Sequence, residues 1–203
     1  MANPNRPSGF TPVQYLNGAS WNGQARVYTI AANYATALYI GDPVISSGTA
    51  QAVTGIPDVT RAAGTAAVRG VIVGLGKYEG LIANPANLDI TYRPASDPAL
   101  WYAMVADDPN IIFEIQEESG TTQMTVLDVG ANQISVAGTG NGFISGWQVA
   151  CTTTGAAGTT ATLQLRLLGL ARKSNNTFGA YAKWLVKINT HELGAGSVGV
   201  VGI

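Results

Sequence analysis

Glycine and proline punctuate the first half of this 203-residue chain so closely that only short strands fit between them. From Ala25 the apolar runs are brief: 26–30, 36–40, a break at Gly41, Asp42 and Pro43, then Val44 and Ile45. A polar loop follows, and after it 58–61 and 68–75. Short runs ending on turn residues read as strands, and no stretch in this half carries the apolar period of a long amphipathic helix. The expectation is an all-β chain with a β-sandwich or barrel body, built as one unit or as two small β subdomains, with extended N- and C-terminal arms.

The second half keeps the pattern. In 100–119 an apolar run enters Asp107-Asp108-Pro109-Asn110 and an alternating run leaves it, which predicts a strand, a tight reversal and a second strand. Ile111, Phe113 and Ile115 share one face there; Ile112, Glu114, Gln116 and Glu118 share the other. Residues 123–129, 133–137 and 146–150 read as further strands. Leu163, Leu165 and Leu167 form one rung of a ladder, and Trp184, Val186 and Ile188 the returning rung. Arg166 and Lys187 are expected to meet Glu114 or Glu118 on an outer face. Residues 84–99, with Pro85, Pro94 and Pro98, read as a connection holding a short strand at 88–93. The expected division is an arm at 1–24, a first β subdomain at 25–83, the connection at 84–99, a second β subdomain at 100–190 and a glycine-rich tail at 191–203.

The two ends are candidates for reaching a partner. Pro4, Pro7 and Pro12 with Gly9, Gly18 and Gly23 forbid a helix, yet Phe10, Tyr15 and Trp21 are too apolar for a solvated tail. The arm lies along its own domain or across another subunit, and in the second case these three aromatics are its anchors. In the tail, Val198, Val200 and Val201 among glycines suit a strand added to a neighbour's sheet edge as well as a frayed end.

Charged residues make up 11% of the chain, against about 25% in an ordinary soluble domain, and the formal net charge is -1. A free monomer usually keeps far more charge on its surface, so neighbours are expected to cover much of this one; solubilisation by Thr, Ser, Asn and Gln is the alternative. Eleven Lys and Arg scattered singly along the sequence do not suggest a nucleic-acid partner. The single cysteine, Cys151, permits no intrachain disulfide and reads as a buried small residue. The N-terminus has no signal-peptide pattern, and no apolar run approaches the roughly 18 residues of a membrane span. No membrane partner is expected, and the product should stay in the cytoplasm unless an assembly carries it out.

Motifs for chemistry are sparse. A nucleophile triad would have to run through the one histidine, His191, beside the tail. One Cys and one His fall short of a zinc ligand set. Residues 74–80, Gly-Leu-Gly-Lys-Tyr-Glu-Gly, have the lysine misplaced for a phosphate loop. Asp107, Asp108, Glu114, Glu117 and Glu118 are read as solvated strand and turn carboxylates, with a glycosidase pair through Glu114 or a calcium site as the alternatives. No catalytic residue, cofactor or metal is expected.

Several separated strings occur together here: Asn3-Pro4, 9–13 (Gly-Phe-Thr-Pro-Val), Trp21-Asn-Gly23, 38–44 (Leu-Tyr-Ile-Gly-Asp-Pro-Val), Arg69-Gly-Val71, Tyr92-Arg-Pro94, 105–118, 165–170 and 182–186. In this order and over nearly the whole chain they resemble a family of tailed-bacteriophage virion proteins. That resemblance implies a structural protein of the phage head, a cement or decoration protein seated on a shell of major capsid protein. It further implies a virion location and no catalytic residues and is silent on stoichiometry; a homo-oligomer is expected, with a trimer favoured over a dimer. A reading from another class stays open, a carbohydrate-binding or host-adhesion module with Trp101, Tyr102, Trp147 and Tyr181 lining a groove.

Overall fold

The structure, a computed structural model, describes residues 3–77, 90–194, 199 and 202. It is all-β among those residues, apart from one 3-10 turn at Val126–Asp128. The chain begins in an open sheet with β1 (Thr11–Tyr15) and then leaves it for a barrel. This middle passage holds β2 (Arg26–Ile30), β3 (Leu38–Tyr39), β4 (Pro43–Ala50), β5 (Pro57–Arg61), β6 (Gly70–Lys77), β7 (Tyr92–Arg93) and β8 (Trp101–Ala106). It returns through β9 (Ile111–Gln116), β10 (Asn132–Gln133), β11 (Ser135–Val136), β12 (Gln148–Val149), β13 (Leu165–Leu170) and β14 (Lys183–Ile188).

The barrel closes in the order β2, β5, β4, β6, β8, and the open sheet runs β1, β9, β14, β13, β10. Only β2 against β5 is parallel in the barrel. Tyr28, Ile30, Val44, Val59, Ile72 and Val105 fill its interior. A second core lies between the open sheet and the barrel wall, where Phe113, Trp184 and Leu167 meet Val71 and Ala106. Because β6 and β8 feed both cores, the two sheets share one packed body.

This arrangement corrects two expectations. Residues 100–119 are not a hairpin: β8 pairs with β2 and β6, while β9 pairs with β1 and β14. The sequence pattern carries the reason. Trp101, Tyr102, Ala103, Val105 and Ala106 are all buried, so β8 is covered on both faces, as a continuous apolar run requires. The turn between the strands is a corner from barrel to sheet, tied to the barrel by Asp107, which accepts from the Tyr28 hydroxyl (2.7 Å) and pairs with Arg26 (3.4 Å). The expected boundary at 84–99 therefore does not separate the sheets, since β8 lies beyond it in sequence yet belongs to the barrel. Of the connection itself, 84–89 lies outside the described residues.

The N-terminal arm lies along its own chain. β1 is the edge strand on β9, with Pro12 opposite Phe113 and a bulge before Gln14, the position in a sheet that proline tolerates. Phe10 is buried in the second core, edge-on to Phe113 at 6.0 Å between ring centres. Upstream, the Asn3 side chain donates to the Thr177 and Ala180 carbonyls, and Gln116 donates to Pro4 O. Where the arm crosses the barrel, Phe10 N donates to Gly41 O (2.9 Å), and Gly9 sits at φ 65° so close that an added Cβ would fall on Gly41 O and the Ser145 side chain. Glycine at both crossing points is a requirement of the close approach.

The stretch 123–129, expected as a strand, instead folds into the 3-10 turn. Thr125 caps it, and Asp128 accepts from the Thr125 backbone N–H in return, a reciprocal pair that competes with strand pairing. On β9 and β14 the inward rungs follow the period. Ile111, Phe113 and Ile115 face the core, as do Trp184, Val186 and Ile188.

Candidate interaction surface

The polar and titratable groups singled out in the sequence are used inside the fold. Glu117 is fully buried, accepting from Met124 N (2.7 Å) and from the Trp184 indole N–H (2.9 Å). Burial raises its pKa from 4.5 to about 7 against the pull of those two donors, with Asp128 and Glu118 adding to the rise. It is thus no solvated carboxylate, in contrast to expectation. Glu118 accepts from Cys151 N (3.2 Å), and Cys151 is buried. Asp108 holds the corner turn by accepting from Asn110 N (2.7 Å). Glu114 takes Lys173 (2.7 Å) and Lys183 (3.2 Å) rather than Arg166 and Lys187. These carboxylates are dispersed over separate contacts, and no group of three or more His, Cys, Asp or Glu among the described residues could hold a metal ion.

His191 is buried as well. Its Nδ1 accepts from Leu193 N (3.0 Å), which leaves that nitrogen without the proton a triad histidine donates to its carboxylate. Burial lowers its pKa from 6.5 to about 4, with Arg69 adding to the fall. Tyr28 is pushed the other way, up to about 12, by burial and by its bond to Asp107.

One depression, about 760 Å³, lies beside the corner and is mostly polar, with Arg26, Asp107, Asp108 and Leu193 among its lining residues. A second, of about 400 Å³, is apolar and lies where the arm crosses the barrel. Phe10, Trp21, Ile40, Ile72, Phe143 and Ile144 line it. Phe10 is its floor, while Trp21 is half-buried with an indole N–H that meets no partner among the described residues.

Local chemistry sets up the rim. The Asn141 side-chain oxygen accepts from Phe143 N (3.0 Å) and Ile144 N (2.9 Å), a side-chain turn that projects both apolar residues outward. Phe143 is 68% and Ile144 43% exposed. The base of that loop is fixed from the barrel. Arg61 donates to Gly138 O (2.9 Å), stacks on the Trp147 ring at 5.3 Å and lies 3.7 Å from buried Asp42. Burial raises the Asp42 carboxyl, with Ser145, the Tyr39 backbone and Arg61 opposing. An apolar crest beside an apolar groove can hold a protein surface by burying carbon. A second crest, Val126 and Leu127, stands on the 3-10 turn, Leu127 being 88% exposed.

Of the expected partner-binding residues, the fold brings Phe10 and Trp21 to one groove. Phe10 is corrected from an outward anchor to a core residue. Tyr15 lies elsewhere, its hydroxyl donating to Asn22 (3.1 Å) and Gln24 (3.2 Å). Val198, Val200 and Val201 lie outside the described residues. The aromatic set drawn for an adhesion groove does not form one: Trp101, Tyr102 and Trp147 are buried core side chains. Sequence reasoning missed Phe143 and Ile144, although an apolar pair directly after a Gly-Asn-Gly turn was a readable signal. No family model matches the chain, and no curated protein or solved structure matches it either.

Proposed function

We propose that this chain is a structural protein of a tailed-phage virion, one that binds and stabilises the assembled capsid shell as a homo-oligomer. The exposed Phe143 and Ile144 crest above the apolar groove supports this reading most directly, because solvent-facing aromatic and branched carbon beside an apolar trough is the makeup of an interface core. The sparse surface charge and the string resemblance to virion proteins point the same way.

The mechanism follows from linkage. A protein that binds assembled subunits better than separated ones stabilises the shell by its binding free energy, and many copies on a symmetric lattice sum modest contacts. The major capsid protein is the partner in this reading. The groove and crest, rather than the N-terminal arm, make the contact with the neighbouring subunit, since β1 and Phe10 are committed to the chain's own fold.

The test is co-sedimentation with shells of the corresponding major capsid protein. A Phe143→Asp, Ile144→Asp double variant should keep its thermal unfolding midpoint and lose retention on shells. Retention equal to that of the unsubstituted chain would overturn the assignment of this surface; no retention of either form would overturn the capsid reading.

A further inference from the structure

The cations that look scattered along the sequence are gathered by the topology. On β14, Lys183, Leu185 and Lys187 alternate with the buried Trp184, Val186 and Ile188, so they share the face of the open sheet turned away from the core. The register sets Arg166 of β13 directly opposite Lys187. Arg172 and Lys173 follow β13 and line one shallow depression with Leu185 and Glu114. Arg6 joins Lys173 and Lys183 around the adjoining one. From Lys183 to Lys187 is about 13 Å of strand.

Six of the chain's eleven cations therefore stand on this face, and Glu114 is the carboxylate at its centre. Among the described side chains the face carries a formal +5. Of the nine described carboxylates elsewhere, Asp42, Asp58, Asp107 and Glu117 are buried, and Asp97 and Glu192 are paired with Lys77 and Arg69. Arg166 also donates to Asn132 Oδ1 (2.7 Å), which holds its guanidinium over the sheet.

We propose that the outer face of the open sheet docks an acidic surface of a partner protein, whether or not that partner is a capsid shell. Leu185 and the partly exposed Leu168 lie among the cations. A protein surface supplies aliphatic carbon to cover them, which a phosphate backbone does not.

The experiment measures binding of the full-length protein to immobilised poly-L-glutamate and to duplex DNA at physiological salt. Poly-L-glutamate should bind the more tightly of the two and weaken as salt rises. A Lys183→Gln, Lys187→Gln variant should bind it about tenfold more weakly. Lys183→Arg, Lys187→Arg should bind as the unsubstituted chain does. Arg26→Gln, Lys77→Gln, which removes the same charge away from this face, should change nothing. Equal losses in the two glutamine variants, tighter binding to duplex DNA, or no binding to poly-L-glutamate would each overturn the proposal.

Discussion

Replacing Glu117 by Gln should turn a nearly flat pH profile of stability into a sloping one. In the unfolded chain the Glu117 carboxyl releases its proton near 4.5, whereas burial in the fold holds it to about 7. Across that window the native state binds the extra proton, so this group's contribution is complete below 4.5 and is lost as pH rises through 7. His191 acts in reverse. Its unfolded imidazole binds a proton below 6.5, while the buried one stays neutral down to about 4, so its contribution is present above 6.5 and lost as pH falls through 4. Each slope is about 1.4 kcal/mol per pH unit, and the two windows overlap between 4.5 and 6.5.

The slopes cancel there in the unsubstituted chain. With Glu117→Gln only the histidine slope remains, and unfolding free energy should rise by about 2 kcal/mol from about pH 5 to 6.5. His191→Asn, whose side-chain oxygen can still accept from Leu193 N, should show a fall of the same size. Asp42, also raised by burial, adds to the Glu117 side in parent and variant alike, so the slopes are read as the difference between the two. Urea unfolding followed by tryptophan fluorescence at several pH values measures them, because Trp147 and Trp184 are fully buried reporters. A Glu117→Gln profile parallel to that of the unsubstituted chain would refute the reasoning, whatever the variant's absolute stability.

Phe10→Ala should cost about 3–5 kcal/mol in denaturant unfolding, and removing residues 1–24 should leave no soluble folded body, because the deletion strips the sheet of its edge strand and the core of a ring. Gly9→Ala should lower the unfolding midpoint sharply, since both its φ of 65° and the nearness of Gly41 O and Ser145 exclude a Cβ; a midpoint within a degree or so of the parent would contradict the crossing geometry. Trp184→Phe removes the indole donor from Glu117, which should cost about 1–3 kcal/mol and raise the carboxyl further, extending its pH slope beyond 7.

Part of the fold was legible from short-range pattern. The Trp184, Val186 and Ile188 rung alternates with half-buried neighbours, the inward Ile111, Phe113 and Ile115 follow the period although Ile112 and Gln116 are buried as well, and Arg26–Ile30 is a strand without alternating burial. Pairing was not legible. A turn such as Asp107 to Asn110 looks the same whether its strands pair or part, and what separates them is a carboxylate bonded to a tyrosine 79 residues away in the chain. The clue was in β8 itself, where apolar residues run without alternation. The candidate surface was half legible: Trp21 was singled out, but the chain crossing that buries Phe10 and leaves Phe143 outside is a tertiary fact. Cation clustering was hidden for the same reason, since Arg6 and Lys183 meet only through the return of the arm to the sheet.

Electron cryo-microscopy of intact virions tests the central claim most directly. The account predicts density for this chain on the capsid shell, with the Phe143 and Ile144 crest and the groove beside it buried against a neighbouring subunit. Particles that lack the chain, or that carry it with the crest and groove facing solvent, would contradict it.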